Sequence, residues 1–121
     1  MSFKIDIHPS NTLRITYSGK ITKEEIDSVR VNARTMVKAN KLEYILVDLR
    51  KAMLDVSEMD LFNIASSQKK VYGNINKTAI IYTEGRHSHH DLMMYAATAN
   101  SKGFRVKLFK NGSEASKWLK F

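Results

Sequence analysis

The stretch Tyr44-Ile45-Leu46-Val47-Asp48-Leu49-Arg50 decides the fold. Its opening apolar run, β-branched at Ile45 and Val47, ends at Asp48 and is too short for a core helix. It reads as a strand buried on both faces, which belongs in the middle of a parallel sheet. Upstream, Thr22 and Glu25 stand at capping-box spacing, where each side chain satisfies a backbone N–H of the other. The helix they open carries Ile26, Val29, Ala33, Met36 and Val37 on one face, with Asn40 placed to take a left-handed stop. Before it, Phe3, Ile5 and Ile7 alternate with polar residues, as do Leu13, Ile15 and Tyr17, across the turn His8-Pro9-Ser10-Asn11. The two runs predict an opening hairpin.

Downstream of the central run the same alternation of elements continues. Ser57 and Asp60 open a helix to about Tyr72, stopped by Gly73. Thr78 to Tyr82 is a short apolar strand. Ser88 and Asp91 are placed to cap a helix whose Leu92, Tyr95, Ala96 and Ala99 share a face. Phe104, Val106 and Leu108 predict a last, edge strand, and Ser113 caps a closing helix with Ala115, Trp118 and Leu119 inward. The order ββαβαβαβα predicts an α/β fold with a mostly parallel central sheet covered by helices, as one domain over 1–121.

Composition narrows the chemistry. The 121 residues include 43% hydrophobic and 26% charged side chains, which excludes a disordered or fibrous chain. There is no cysteine, so thiol nucleophiles, disulfides and thiolate metal sites are excluded. No apolar run approaches the roughly 20 residues of a membrane span, and the N-terminus does not resemble a signal peptide, so a cytoplasmic protein that does not span a membrane is expected. The net charge is +8. From Ser101 onward six bases face one acid, Glu114. Without an RNP-type aromatic motif or an arginine-rich run, this basic end is read as a solvated face, and no specific nucleic-acid partner is expected.

The order and spacing, with three local signatures, resemble the STAS domain, particularly its SpoIIAA-like branch. The signatures are Gly19-Lys20-Ile21-Thr22, Ile45-Leu46-Val47-Asp48-Leu49-Arg50, and the closing segment from Gly103 to Leu119 with Glu114-Ala115 and Trp118-Leu119. The resemblance covers nearly the whole chain. It implies a regulatory, non-enzymatic module that binds protein or small anionic partners. In the anti-sigma-factor-antagonist members, a kinase phosphorylates a serine after an aspartate at the start of the second helix, in a pattern like Asp-Ser-Ser-Gly. Here that stretch is Asp55-Val56-Ser57-Glu58. Asp55 matches, Val56 occupies the phosphoacceptor position, Ser57 falls one place late and Glu58 replaces the glycine. The expectation is therefore docking at Asp55 to Asp60, through Asp55, Ser57 and Glu58 with an adjoining Arg50–Lys51 loop, and no phospho-switch at position 56.

A second expectation competes with docking. Glu84-Gly85-Arg86-His87-Ser88-His89-His90-Asp91 gathers three of the four histidines. A helix start there offers backbone N–H groups to an anion, and Arg86 adds a bidentate donor. With Arg50 at the end of the neighbouring strand, the set Arg50, Arg86, His87, Ser88 and His89 suits a small anionic ligand or lipid headgroup at the strand carboxyl ends. Alternatively Arg50 pairs with Asp48 or Asp55 on the surface, and the sequence leaves both readings standing. The histidines lack the spacing of a His-Glu-x-x-His site, so no metal or other cofactor is expected. Ser88, His89 and Asp91 cannot form a triad, because adjacent residues on one turn point apart. Met53, Met59, Met93 and Met94 read as core filling, with an adaptable docking surface as the alternative. Pairing of two copies across a two-fold axis also stays open.

Overall fold

The computed structural model describes residues 3–85 and 89–120. Nine elements follow in the predicted order: β1 (Phe3–His8), β2 (Thr12–Thr22), α1 (Lys23–Asn40), β3 (Tyr44–Asp55), α2 (Glu58–Tyr72), β4 (Lys77–Ile81), α3 (His89–Ser101), β5 (Val106–Phe109) and α4 (Gly112–Lys120). The five strands form one sheet in sequence order. β1 runs antiparallel to β2, and every other neighbouring pair is parallel.

The alternation of β3 divides the core in two. Ile45 and Leu49 join Leu13, Ile15, Tyr17 and Ile80 against Val29 and Ala33 of α1, Ala65 and Tyr72 of α2, and Leu92 and Ala96 of α3. Leu46 turns the other way, with Ala79, Ile81 and Phe109, against Ala115 and Leu119 of α4. Among the described residues three helices thus cover one face and α4 covers part of the other.

The caps follow from local chemistry. Thr22 Oγ1 accepts from the Glu25 N–H at 3.3 Å, and Glu25 Oε1 accepts from the Thr22 N–H at 3.4 Å, a complete capping box. Ser57 Oγ accepts from the Asp60 N–H at 3.1 Å and caps α2. One predicted stop and one predicted N-cap are displaced. The left-handed residue after α1 is Lys41, at φ 52°, because the Asn40 side chain donates to the Met36 carbonyl instead. Asn111, not Ser113, caps α4, its side-chain oxygen accepting from the Glu114 N–H at 2.9 Å.

The largest departure from the sequence reading is at β3. It does not stop at Asp48 but runs to Asp55, and β2 runs to Thr22 beside it. The register shifts between Thr16 and Ser18, where β3 uses one residue more than β2, and pairing then resumes from Ser18 with Lys51 to Thr22 with Asp55. Such a bulge bends the strand and prolongs the pair beyond β4, whose pairing with β3 ends at Asp48 and Ile81. Arg50 and Lys51 therefore lie within a strand and not in a loop. β4 likewise begins one residue early, at Lys77, and Phe104 packs into the core ahead of β5.

Candidate functional site

α2 and α3 each follow the carboxyl end of a parallel strand, so their N-terminal halves meet at the end of the sheet where open α/β folds bind ligands. Between them lies a groove of about 570 Å³, lined by Glu58, Met59 and Phe62 from α2 and by His90, Asp91 and Met94 from α3 among others. Leu61 forms its floor and is buried. Met59, Phe62 and Met94 are 68%, 52% and 55% exposed. α2 buries Leu61, Ile64, Ala65, Gln68 and Tyr72, which leaves Met59 and Phe62 off its core stripe. The reading of Met53, Met59, Met93 and Met94 as core filling is thus corrected: all four are more than half exposed.

Of the residues singled out for docking, Ser57 and Glu58 stand at the mouth of this groove as the cap and first residue of α2. Asp55 ends β3 and pairs with Lys20 at 3.5 Å, both well exposed. Arg50 is not brought to them. Asp48 alternates with Val47 and Leu49 and so faces away from the α1–α3 layer. Arg50 donates to both Asp48 oxygens, from Nε at 3.0 Å and Nη2 at 2.8 Å, and its backbone N–H adds a third bond at 3.0 Å. Burial alone would raise the Asp48 carboxyl. The Arg50 bonds and charge, with Lys51, outweigh it and hold Asp48 below its ordinary value. Arg50 is correspondingly raised, chiefly by its hydrogen bond to Asp48. Of the two readings of Arg50, the structure shows the pairing with Asp48.

Arg86, His87 and Ser88 of the anion reading lie outside the described residues. His89 opens α3, with Nδ1 3.0 Å from the hydroxyl of the buried Tyr82 and the rings 5.8 Å apart. Among the described residues no cluster of three His, Asp or Glu side chains is placed to hold a metal, and no helix is long and apolar enough to cross a membrane.

The basic end is also more organised than its sequence suggests. An aromatic ring accompanies two of these charges, Arg105 and Lys107, together with Lys77 of β4. Lys77, Arg105 and Lys107 lie 5.2, 5.3 and 5.9 Å from the centre of the Trp118 ring. Lys77 is buried and donates to the Trp118 carbonyl at 2.8 Å, where the negative end of α4 favours a cation. These three cations are thus engaged with the protein's own tryptophan.

No protein-family model matches the chain, and a search of curated protein sequences finds no relative. Solved structures do match over nearly its whole length. An uncharacterized protein of the DUF3478 family from Shewanella loihica, with a SpoIIAA-like fold, is 17% identical at a TM-score of 0.65, covering 97% of this chain and 91% of its own. An anti-sigma factor antagonist from Mycobacterium paratuberculosis is 12% identical at 0.66, over 98% and 93% of the two chains. The unphosphorylated anti-sigma factor antagonist SpoIIAA is 11% identical at 0.64, over 98% and 97%.

Proposed function

Because the chain carries the SpoIIAA-like fold, with a mostly parallel sheet, we propose that it is a non-enzymatic regulatory module that docks a protein partner at the α2–α3 groove. One observation carries this reading. Met59, Phe62 and Met94 border a single groove with their side chains more than half exposed. Large apolar side chains gathered in this way mark interaction sites, and methionine adapts its shape to what it meets.

The charge around the groove selects the partner's chemistry. The chain as a whole is at +8, yet Glu58 and Asp91 line the groove beside His90. The complementary occupant is a protein segment with apolar side chains flanked by lysine or arginine, as when an amphipathic helix enters a groove. Ser57 acts as a helix cap in this module and Val56 fills the position of the phosphoacceptor, so docking proceeds without a phosphoserine at position 56.

The test is affinity capture with the wild-type chain and with Phe62→Glu/Met94→Glu, followed by reconstitution with the purified partner. A partner that binds the wild type and is lost by the variant supports the reading. A protein that yields no partner but carries a small anion through purification would favour the anionic-ligand reading instead.

A further inference from the structure

A second site lies inside the molecule, between the sheet and the α1–α3 layer, and its argument is independent of the docking groove. The cavity there has a volume of about 80 Å³. Most of its wall is aliphatic, including Ile15, Ile45, Val47, Ile80 and Leu92. Two polar side chains in that wall are more than nine-tenths buried, Gln68 and Thr78. Gln68 Nε2 donates to the Tyr95 hydroxyl at 2.6 Å, which leaves Gln68 Oε1 without a donor, and Thr78 Oγ1 is likewise without a partner. Native cores pair the large majority of such groups, so two orphans on one cavity point to something that pairs with them.

Arg30 connects this cavity to the outside. It lines the interior cavity and also a surface groove of about 500 Å³ with Arg34, Lys38 and Val71. Arg30, Arg34 and Lys38 are successive i, i+4 neighbours on α1. The acid of that groove, Asp27, is paired with Lys23 at 2.9 Å. Among the described residues Arg30 makes one hydrogen bond, to Ser67 Oγ at 2.6 Å, and no ion pair. A guanidinium with five N–H donors thus retains capacity for a carboxylate at the cavity wall.

We propose that this cavity binds a short-chain hydroxycarboxylate. Its carboxylate meets Arg30, its carbon chain fills the aliphatic cavity, and its hydroxyl donates to Gln68 Oε1 or exchanges a hydrogen bond with Thr78. Size limits the chain. The volume is about half the roughly 150 Å³ that accommodates a benzene ring, so the body holds only about three or four carbons. The chemistry is equally restrictive, because Gln68 Oε1 only accepts and needs a ligand group that donates.

The probes are 4-hydroxybutyrate, butyrate, 1-butanol and octanoate, each titrated to about 10 mM, about ten times a dissociation constant of 1 mM. Methyl and amide chemical shifts report the site. Saturable shifts at Ile80 and Leu92 are expected with 4-hydroxybutyrate, weaker ones with butyrate and none with octanoate. Arg30→Gln should weaken binding about tenfold or more while Arg30→Lys retains part of it. Gln68→Leu should abolish the advantage of 4-hydroxybutyrate over butyrate. Absence of saturation with every probe would mean the cavity holds water only and would overturn the proposal. Equal affinity in folded Arg30→Gln, or shifts confined to Met59, Phe62 and Met94, would overturn it too.

Discussion

Gln68 of α2 donates its amide N–H to the hydroxyl of Tyr95 of α3 at 2.6 Å, so a part-buried hydrogen bond joins the two helices that form the docking groove. Burial raises the Tyr95 hydroxyl pKa, a shift the Gln68 bond and the Arg30 charge reduce. Tyr95→Phe leaves a buried amide donor unpaired and should cost about 1–3 kcal/mol. Gln68→Leu/Tyr95→Phe removes both partners and should cost less than the two single changes added together. Urea denaturation of the four proteins gives the coupling.

The core phenols make stability fall in alkali. Burial raises the pKa of Tyr17 and Tyr72 as well as Tyr95, above the ordinary value of 10.0. A hydroxyl kept neutral by the fold contributes stability that is fully present below the unfolded pKa and is lost as pH rises through and beyond it. Ultraviolet titration should show these three tyrosines ionising together with loss of the helical signal. Ionisation near pH 10 with the fold intact would show that the α1–α3 layer does not seal them from water.

Asp48 gives the opposite dependence at acid pH. Its folded pKa is depressed below 3.8, so its contribution is fully present above that value and is lost as pH falls through the folded pKa. The bidentate pair with Arg50 is half-exposed on the arginine side, so Asp48→Asn should cost only about 1 kcal/mol at neutral pH. Thermal melts of wild type and variant should converge as the pH falls through the depressed pKa of Asp48.

Ser57 separates capping from signalling. Ser57→Ala should destabilise the chain by about 1 kcal/mol, whereas Ser57→Asp keeps a capping oxygen and should be nearly neutral. Mass spectrometry after incubation with kinases should find no phosphate at Ser57. Phosphate there, accompanied by a change in partner binding, would restore a switch displaced by one residue.

The caps at Thr22 and Ser57, the buried strand from Tyr44 and the βα alternation were legible because each rests on neighbours a few residues apart. The second half of β3 was not. Arg50, Lys51, Met53 and Asp55 look like a loop, and they become a strand through pairing with Ser18 to Thr22. That partner is distant in sequence, and a bulge separates it from the rest of the strand. Asn40 was the natural left-handed stop, but its amide found the Met36 carbonyl and Lys41 took the turn. The groove has a readable signal in α2 that favours the docking alternative for its methionine. Met59 and Phe62 are three apart and fall outside the stripe of Leu61, Ile64, Ala65 and Gln68. Gln68 itself, a polar residue within that stripe, marked the interior cavity in the same way.

The dissociation constant of the captured partner for wild type and for Phe62→Glu, measured by calorimetry at low and physiological salt, tests docking at the α2–α3 groove most directly. An anchor at the centre of an interface accounts for about 2 kcal/mol, so Phe62→Glu should weaken binding roughly thirtyfold or more. Added salt should weaken wild-type binding as the acidic rim is screened. Unchanged affinity in a folded Phe62→Glu protein would contradict the account.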